Sequence, residues 1–129
     1  MAQHNEKGKK GEEAARDWLV KHGYQILEYN WQFHHYELDI IATIEDLLVI
    51  VEVRTRSEGY LLAPEETINK VKIKNIITAA DAYVRHNHID LSVRFDIISV
   101  IEHTGDYEID HIEDAFYPPL NARSGRGYR

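Results

Sequence analysis

The stretch ELDIIATIEDLLVIVEVRT, residues 37–55, decides the fold. It holds two apolar runs, Glu37–Thr43 and Leu47–Thr55, both rich in Ile and Val and joined by Ile44-Glu45-Asp46. Two short runs of this kind with a turn-length linker read as a β-hairpin. Each run carries an acid inside it, Asp39 in the first and Glu52 in the second. A carboxylate within such a strand is costly to bury unless it is paired or binds a cation. A turn centred on Glu45 and Asp46 sets Ile44 opposite Leu47, Asp39 opposite Glu52 and Glu37 opposite Arg54. Directly opposed residues share one face of a sheet. Two unshielded carboxylates there repel, and a divalent cation between them removes that cost. Mg²⁺ in particular takes one or two carboxylates and completes its shell with water and phosphate oxygens. Leu38, Ile40, Val51 and Val53 then fill the opposite, packed face. The plain alternative is a half-exposed hairpin in which Glu37 and Arg54 form a surface pair of little energetic weight.

Outward from the hairpin, residues 8–22 read as a helix. Ala14, Ala15, Trp18 and Leu19 recur at helical spacing, and Gly23 supplies the stop. Tyr24–Phe33 reads as a strand. From Pro64 to Asn87 the pattern turns helical again, with Ile68, Val71, Ile76, Ala79, Ala80 and Tyr83 as its apolar stripe. Val93–Ile101 is a further strand, and Tyr107–Ile112 a short final one. The order is α-β-β-β-α-β. A helical crossover between the third and fourth strands makes those two parallel. The expected class is α/β, a mixed central β-sheet flanked by helices. The expected domain is a single one over residues 1–116. Residues 117–129 read as a flexible tail, made weakly basic by Arg123, Arg126 and Arg129.

Composition fits a soluble globular chain. Of 129 residues, 43% are hydrophobic and 29% charged, which argues against extensive disorder. There is no Cys, so disulfides, thiolate zinc sites and cysteine nucleophiles are excluded. No apolar run approaches the ~18 residues of a membrane span. The polar N-terminus lacks a signal-peptide core. The expectation is a cytoplasmic protein with no membrane partner. The net charge of −7 runs against phosphate binding, although local patches decide such contacts.

Other residues carry weaker signals. The eight His residues include no His-Glu-x-x-His, so zinc is not expected. His34, His35, His86 and His88 read as solvated. Lys70, Lys72 and Lys74 begin the second helix. Lys70 and Lys74 share a face there, and Lys72 points elsewhere. They read as a solvated helix face or as phosphate contacts. Arg56 shares the strand face of Arg54 and extends the same patch. Trp18 and Tyr83 read as core.

The chain from Lys7 to Phe116 resembles the UPF0102 (YraN-like) family, whose fold is related to restriction endonucleases and Holliday junction resolvases. The matching segments are Lys7-Gly8-Lys-Lys-Gly11-Glu12, Ala15, Trp18-Leu19, Gly23-Tyr24 and Asn30-Trp31. They continue through Glu37-Leu38-Asp39-Ile40-Ile41, Val51-Glu52-Val53-Arg54-Thr55-Arg56, Lys70, Arg94-Phe95-Asp96 and Ala115-Phe116. The resemblance implies a restriction endonuclease-like fold and a PD-(D/E)xK-type site. Asp39 and Glu52 would be its acids, with Glu12 completing a Mg²⁺ (or Mn²⁺) shell and Glu37 as an accessory group. The implied activity is Mg-dependent hydrolysis of DNA phosphodiesters, branched DNA included. Nucleic-acid contacts would fall to Arg56, Lys70 and Lys74. Resolvase-like proteins cut two strands, so a homodimer is compatible with the likeness, but nothing in the sequence specifies an interface.

Two positions depart from the family pattern. Tyr36 replaces the usual Gly before Glu-x-Asp, and Arg54 replaces the motif lysine. Arg keeps the positive charge and grips phosphate with two hydrogen bonds, but its pKa, above about 12, prevents it from acting as a base. Lys70 or Lys72 could supply the missing amine from the following helix. The second reading is a nuclease-fold module that binds nucleic acid or a protein partner without turnover.

Overall fold

The computed structural model describes the backbone of residues 6–57 and 68–118, and side chains from residue 10 onward. The elements in chain order are α1 (Glu6–Lys21), β1 (Gln25–Phe33), β2 (Tyr36–Ile44), β3 (Leu47–Ser57), α2 (Lys70–His86), β4 (Ser92–His103) and β5 (Asp106–Phe116). They form a five-stranded sheet in the order β1-β2-β3-β4-β5. β3 and β4 are parallel, as the crossover through α2 requires, and every other pair is antiparallel. This is the expected mixed α/β sheet, consistent with a restriction endonuclease-like arrangement.

The final strand is longer than its apolar run suggests. β5 spans Asp106–Phe116 because it follows β4 from His103 to Phe95. α2 begins later than its apolar stripe suggests. Asn69 caps it from an extended backbone, its side-chain oxygen accepting the Lys72 N–H at 2.8 Å. Ile68 therefore precedes the helix, and the Pro64 end of the expected helix lies outside the described residues. So does the tail beyond Pro118.

The sheet buries both faces in its centre, which explains why β2, β3 and β4 read as near-continuous apolar runs. On one face Ala15, Leu19 and Tyr24 pack on Ile40, Ala42, Val49, Val51, Ile98 and Val100. On the other, Ile76, Ala79, Ala80 and Tyr83 of α2 pack on Leu38, Ile41, Leu48, Ile50 and Phe95. Trp18 and Tyr83 belong to these two cores, as expected. The hairpin register is also the expected one from Ile44 opposite Leu47 to Ile40 opposite Val51.

One expectation fails. Leu38 does not share a face with Ile40, Val51 and Val53, because it packs on the α2 side. The reason lies on the adjoining strand, where Asn30 adopts a left-handed φ of 53°. Tyr29 pairs with Ile40 and Trp31 with Leu38, but Asn30 and Asp39 between them do not pair. Strict alternation is broken at that step, and Leu38 and Ile40 turn to opposite sides. Nor does the ladder carry Glu37 to Arg54. Glu37 pairs with Gln32, and Arg54 with Ser99.

α1 crosses β3 at Gly11. A Cβ at that position would run into the Thr55 hydroxyl and lie 3.2 Å from Thr55 Cβ. This close approach brings the next residue, Glu12, to the acid-bearing end of the hairpin. Gly11→Ala should lower stability by about 1–3 kcal/mol through overpacking, despite the better helix propensity of Ala. Urea unfolding checks the sign.

Candidate metal and phosphate site

The break in alternation sets Asp39 where the β2–β3 ladder ends. Its carboxylate takes over from the ladder there, Oδ2 accepting the Val53 N–H at 2.8 Å. The side chain is thereby fixed beside Glu52 on β3, which is 4% exposed. Asp39 directly opposite Glu52 was the expectation; the paired register stops at Ile40 and Val51, and Asp39 meets β3 through the Val53 N–H instead.

The Asp39 carboxyl is held well above the usual carboxylate range. Burial is the largest cause, the Glu52 carboxylate the second, and Glu12 on α1 adds to it. The Val53 N–H and Lys72 oppose these. A group with a raised folded-state pKa costs stability as pH climbs through that pKa. Asp39 in its ionised form is therefore only partly compensated, and a divalent cation would compensate it further.

The basic residues divide. Lys72 Nζ lies 3.5 Å from Glu52 Oε2, and Arg54 Nη1 lies 3.4 Å from the same oxygen. Lys70 and Lys74 are exposed on α2. Of the two lysines considered as a substitute for the motif amine, Lys72 is the one that reaches the acids. Arg56 is half-buried on the strand face of Arg54 and Glu52. Among the described residues, no three His, Asp or Glu side chains group closely enough to hold a metal ion. The residues still fit a hard cation such as Mg²⁺ in a two-carboxylate form, because that ion needs only one or two protein acids. Asp39 and Glu52 would hold it, with Glu12 near enough to raise the charge density.

A third acid in an apolar strand was not singled out for chemistry from the sequence. Asp96 on β4 is fully buried, yet every side of it is satisfied. Arg94 donates Nε to Oδ1 at 2.9 Å and Nη2 to Oδ2 at 2.8 Å. His111 Nε2 lies 2.8 Å from Oδ2, and the Asp114 N–H donates to Oδ1 at 3.0 Å. Trp18 Nε1 donates to His111 Nδ1 at 3.1 Å, which makes Nε2 the protonated nitrogen of that ring. Arg94 also donates to the Tyr24 hydroxyl at 2.7 Å. This network ties α1, β4 and β5 together. The signal for it was present, a charged residue inside Val93–Ile101, the same one that marks Asp39 and Glu52. The remaining histidines flagged as solvated, His34, His35, His86 and His88, are exposed.

No described helix is long and apolar enough to cross a membrane. The model of the family described as "Uncharacterised protein family UPF0102" matches residues 11–100. A UPF0102 protein of Parabacteroides distasonis is 58% identical over 119 residues, covering 92% of this chain and 98% of the relative. A UPF0102 protein of Bacteroides thetaiotaomicron is 55% identical over 93% of this chain and 99% of its own. One from Porphyromonas gingivalis is 49% identical over 98% of this chain and 94% of its own. With a family match over Gly11–Val100, the span that contains both helices' packing faces and the acid pair, the chain belongs to the UPF0102 family.

Proposed function

We propose that this protein is a Mg²⁺-dependent nuclease acting on DNA phosphodiesters, branched DNA included. The observation that carries the reading is the Asp39 carboxyl bound to the Val53 N–H beside the buried Glu52. It is held by the Val53 N–H, pushed up by burial and by Glu52 and Glu12, and left without a direct cationic partner in the described contacts. Evolution rarely retains such a cost without use, and perturbed acids cluster at functional sites. Bound Mg²⁺ would polarise the phosphodiester and lower the pKa of a coordinated water. Asp39 and Glu52 would supply its protein oxygens. Lys72 would take the place of the motif lysine, holding positive charge beside the attacked phosphate. Arg54 would grip a non-bridging phosphate oxygen, a task its planar fork suits and deprotonation is not needed for. Arg56, Lys70 and Lys74 would contact the flanking backbone and give binding its salt dependence.

Arg54 and Lys72 both resting on Glu52 Oε2 favour a second reading, a module that binds nucleic acid or a protein without cutting it. Incubation of wild type with supercoiled, single-stranded and four-way-junction DNA separates the two. Cleavage that requires Mg²⁺, stops with chelator and is missing from Asp39→Asn/Glu52→Gln supports the nuclease. DNA binding without any metal-dependent product supports the module. Within the nuclease reading, Lys72→Ala should cut the rate by about a hundredfold. Lys70→Ala should stay within about threefold, because Lys70 would contribute only a backbone phosphate contact. Equal losses in the two variants would remove Lys72 from its role.

A further inference from the structure

Trp31 and Phe33 on β1 stand at the rim of the α2-side core, where both are half-buried. Their rings are parallel to within 2°, with centroids 6.4 Å apart. Tyr83 of α2 meets the Trp31 ring at 84° with centroids 5.1 Å apart, which fixes its tilt. The Tyr83 hydroxyl also lies 3.5 Å from Glu28 Oε2, so that acid of β1 is engaged. α2 links the rings to the acid pair. Its Tyr83 touches Trp31, and its Lys72 lies 3.5 Å from Glu52 Oε2. From Lys72 to Tyr83 the helix rises roughly 16 Å, the length of about five nucleotide steps of one strand. Lys70 and Lys74 are exposed near the Lys72 end. Charge suited to phosphates therefore lies at one end of the helix and flat apolar surface at the other.

We propose that Trp31 and Phe33 form a stacking platform for unpaired bases, and that the preferred substrate is DNA carrying a single-stranded arm. The place of that arm relative to the cut phosphate rests on the nuclease reading above, whereas the stacking itself does not. A paired duplex keeps its bases inside the helix and offers no ring face. A single strand offers a π-face at every nucleotide, whatever its sequence. A strand with a phosphate at the acid pair brings its bases onto the rings about five nucleotides further on. The chain's net charge of −7 weakens a purely electrostatic grip, and stacking adds affinity that does not depend on charge. Leu or Ile would fill the same rim, so packing alone does not call for two parallel planar faces there.

The test uses the full chain in chelator, with oligothymidine of about twelve nucleotides and a blunt duplex of the same length as probes. The chain has two Trp residues, and Trp18 is tied by its indole N–H to His111 at 3.1 Å. Oligothymidine is expected to quench the fluorescence of wild type and to leave that of Trp31→Phe unchanged. Phe33→Leu keeps apolar volume at the rim but presents no flat face. It should lose about tenfold in oligothymidine affinity, within the range for one base removed from an aromatic ring. Its affinity for the duplex should match wild type, and Phe33→Tyr should bind both probes as wild type does. An equal quench in Trp31→Phe, or none in wild type, overturns the platform. So does an equal loss on single strand and duplex in Phe33→Leu, which assigns the ring to packing. Mg²⁺ is then added with duplexes carrying single-stranded arms of about two or about eight nucleotides, shorter and longer than the span along α2. Wild type should cut the longer-armed substrate faster, and Phe33→Leu should cut both alike. Wild-type cleavage with no preference for the longer arm overturns the substrate assignment and leaves the nuclease reading standing. Single-strand quenching with no cleavage of any substrate removes the nuclease reading and supports the platform.

Discussion

Asp96→Ala is expected to remove about 3–5 kcal/mol of folding free energy. The carboxylate is fully buried and is the common acceptor for Arg94, His111 and the Asp114 N–H. Its loss leaves a guanidinium whose side chain is only 17% exposed with the Tyr24 hydroxyl and the more distant Glu113, 3.7 Å away, as its partners. It also strands an imidazole whose other nitrogen is committed to Trp18. Breaking a buried pair from one side leaves the other charge without its main partner, and that leftover charge accounts for most of the loss. Domains of this size are stable by only about 5–15 kcal/mol, so the variant should sit near the edge of folding at 37 °C. Urea unfolding at neutral pH measures it. A change below about 1 kcal/mol would mean the network contributes little.

The same group fixes the sign of the acid response. Burial alone would push the Asp96 carboxyl up, but the bonds from His111, Arg94 and the Asp114 N–H hold it below the ordinary value. A depressed folded-state pKa contributes stability that is complete above the unfolded carboxylate range. That stability is lost as pH falls through the lowered value. Wild type should therefore lose stability steeply on the acid side of pH 4, and Asp96→Asn should show a flatter profile there.

Asp39→Asn is expected to do the opposite to stability and, if the protein is the proposed nuclease, to abolish its activity. The amide oxygen of Asn still accepts the Val53 N–H, so the strand junction is kept. The charge that burial, Glu52 and Glu12 all disfavour is removed. At pH 8 without divalent cations the variant should be more stable than wild type by on the order of 1 kcal/mol, the usual scale of relief at a functional site. The gap should narrow as pH falls, because wild-type Asp39 then takes up its proton and sheds the penalty. On the proposed nuclease function, cleavage should drop by at least about a hundredfold. Thermal melts across pH, with and without Mg²⁺, read both effects. A variant less stable than wild type at pH 8 in chelator would contradict the strained-acid assignment.

Asp39 and Asp96 show how far the sequence could be read. Both sit in runs of Ile, Val and Phe, and both announce a buried acid. Only tertiary contacts separate them. Asp96 finds Arg94 two residues away, but it also needs His111 and Asp114 from β5, a strand whose expected length ended at Ile112. Asp39 finds a single backbone N–H, two like charges and the charge of Lys72. The hairpin register from Ile40 to Ile44 was legible because turn length and apolar runs determine it. The switch of faces at Leu38 was not, because it depends on the left-handed Asn30 of another strand. The parallel β3–β4 pair followed from the helical crossover. The selection of Lys72 over Lys70 required the seat of α2 on the sheet, which no spacing in the sequence specifies.

The central claim is that Asp39 and Glu52 together hold a divalent cation. Calorimetric titration of Mg²⁺ into the metal-free full chain tests it most directly, with Asp39→Asn/Glu52→Gln titrated alongside. A saturable isotherm in wild type that is lost in the double variant is the expected result. The same isotherm in both proteins, or none in either, would contradict the claim.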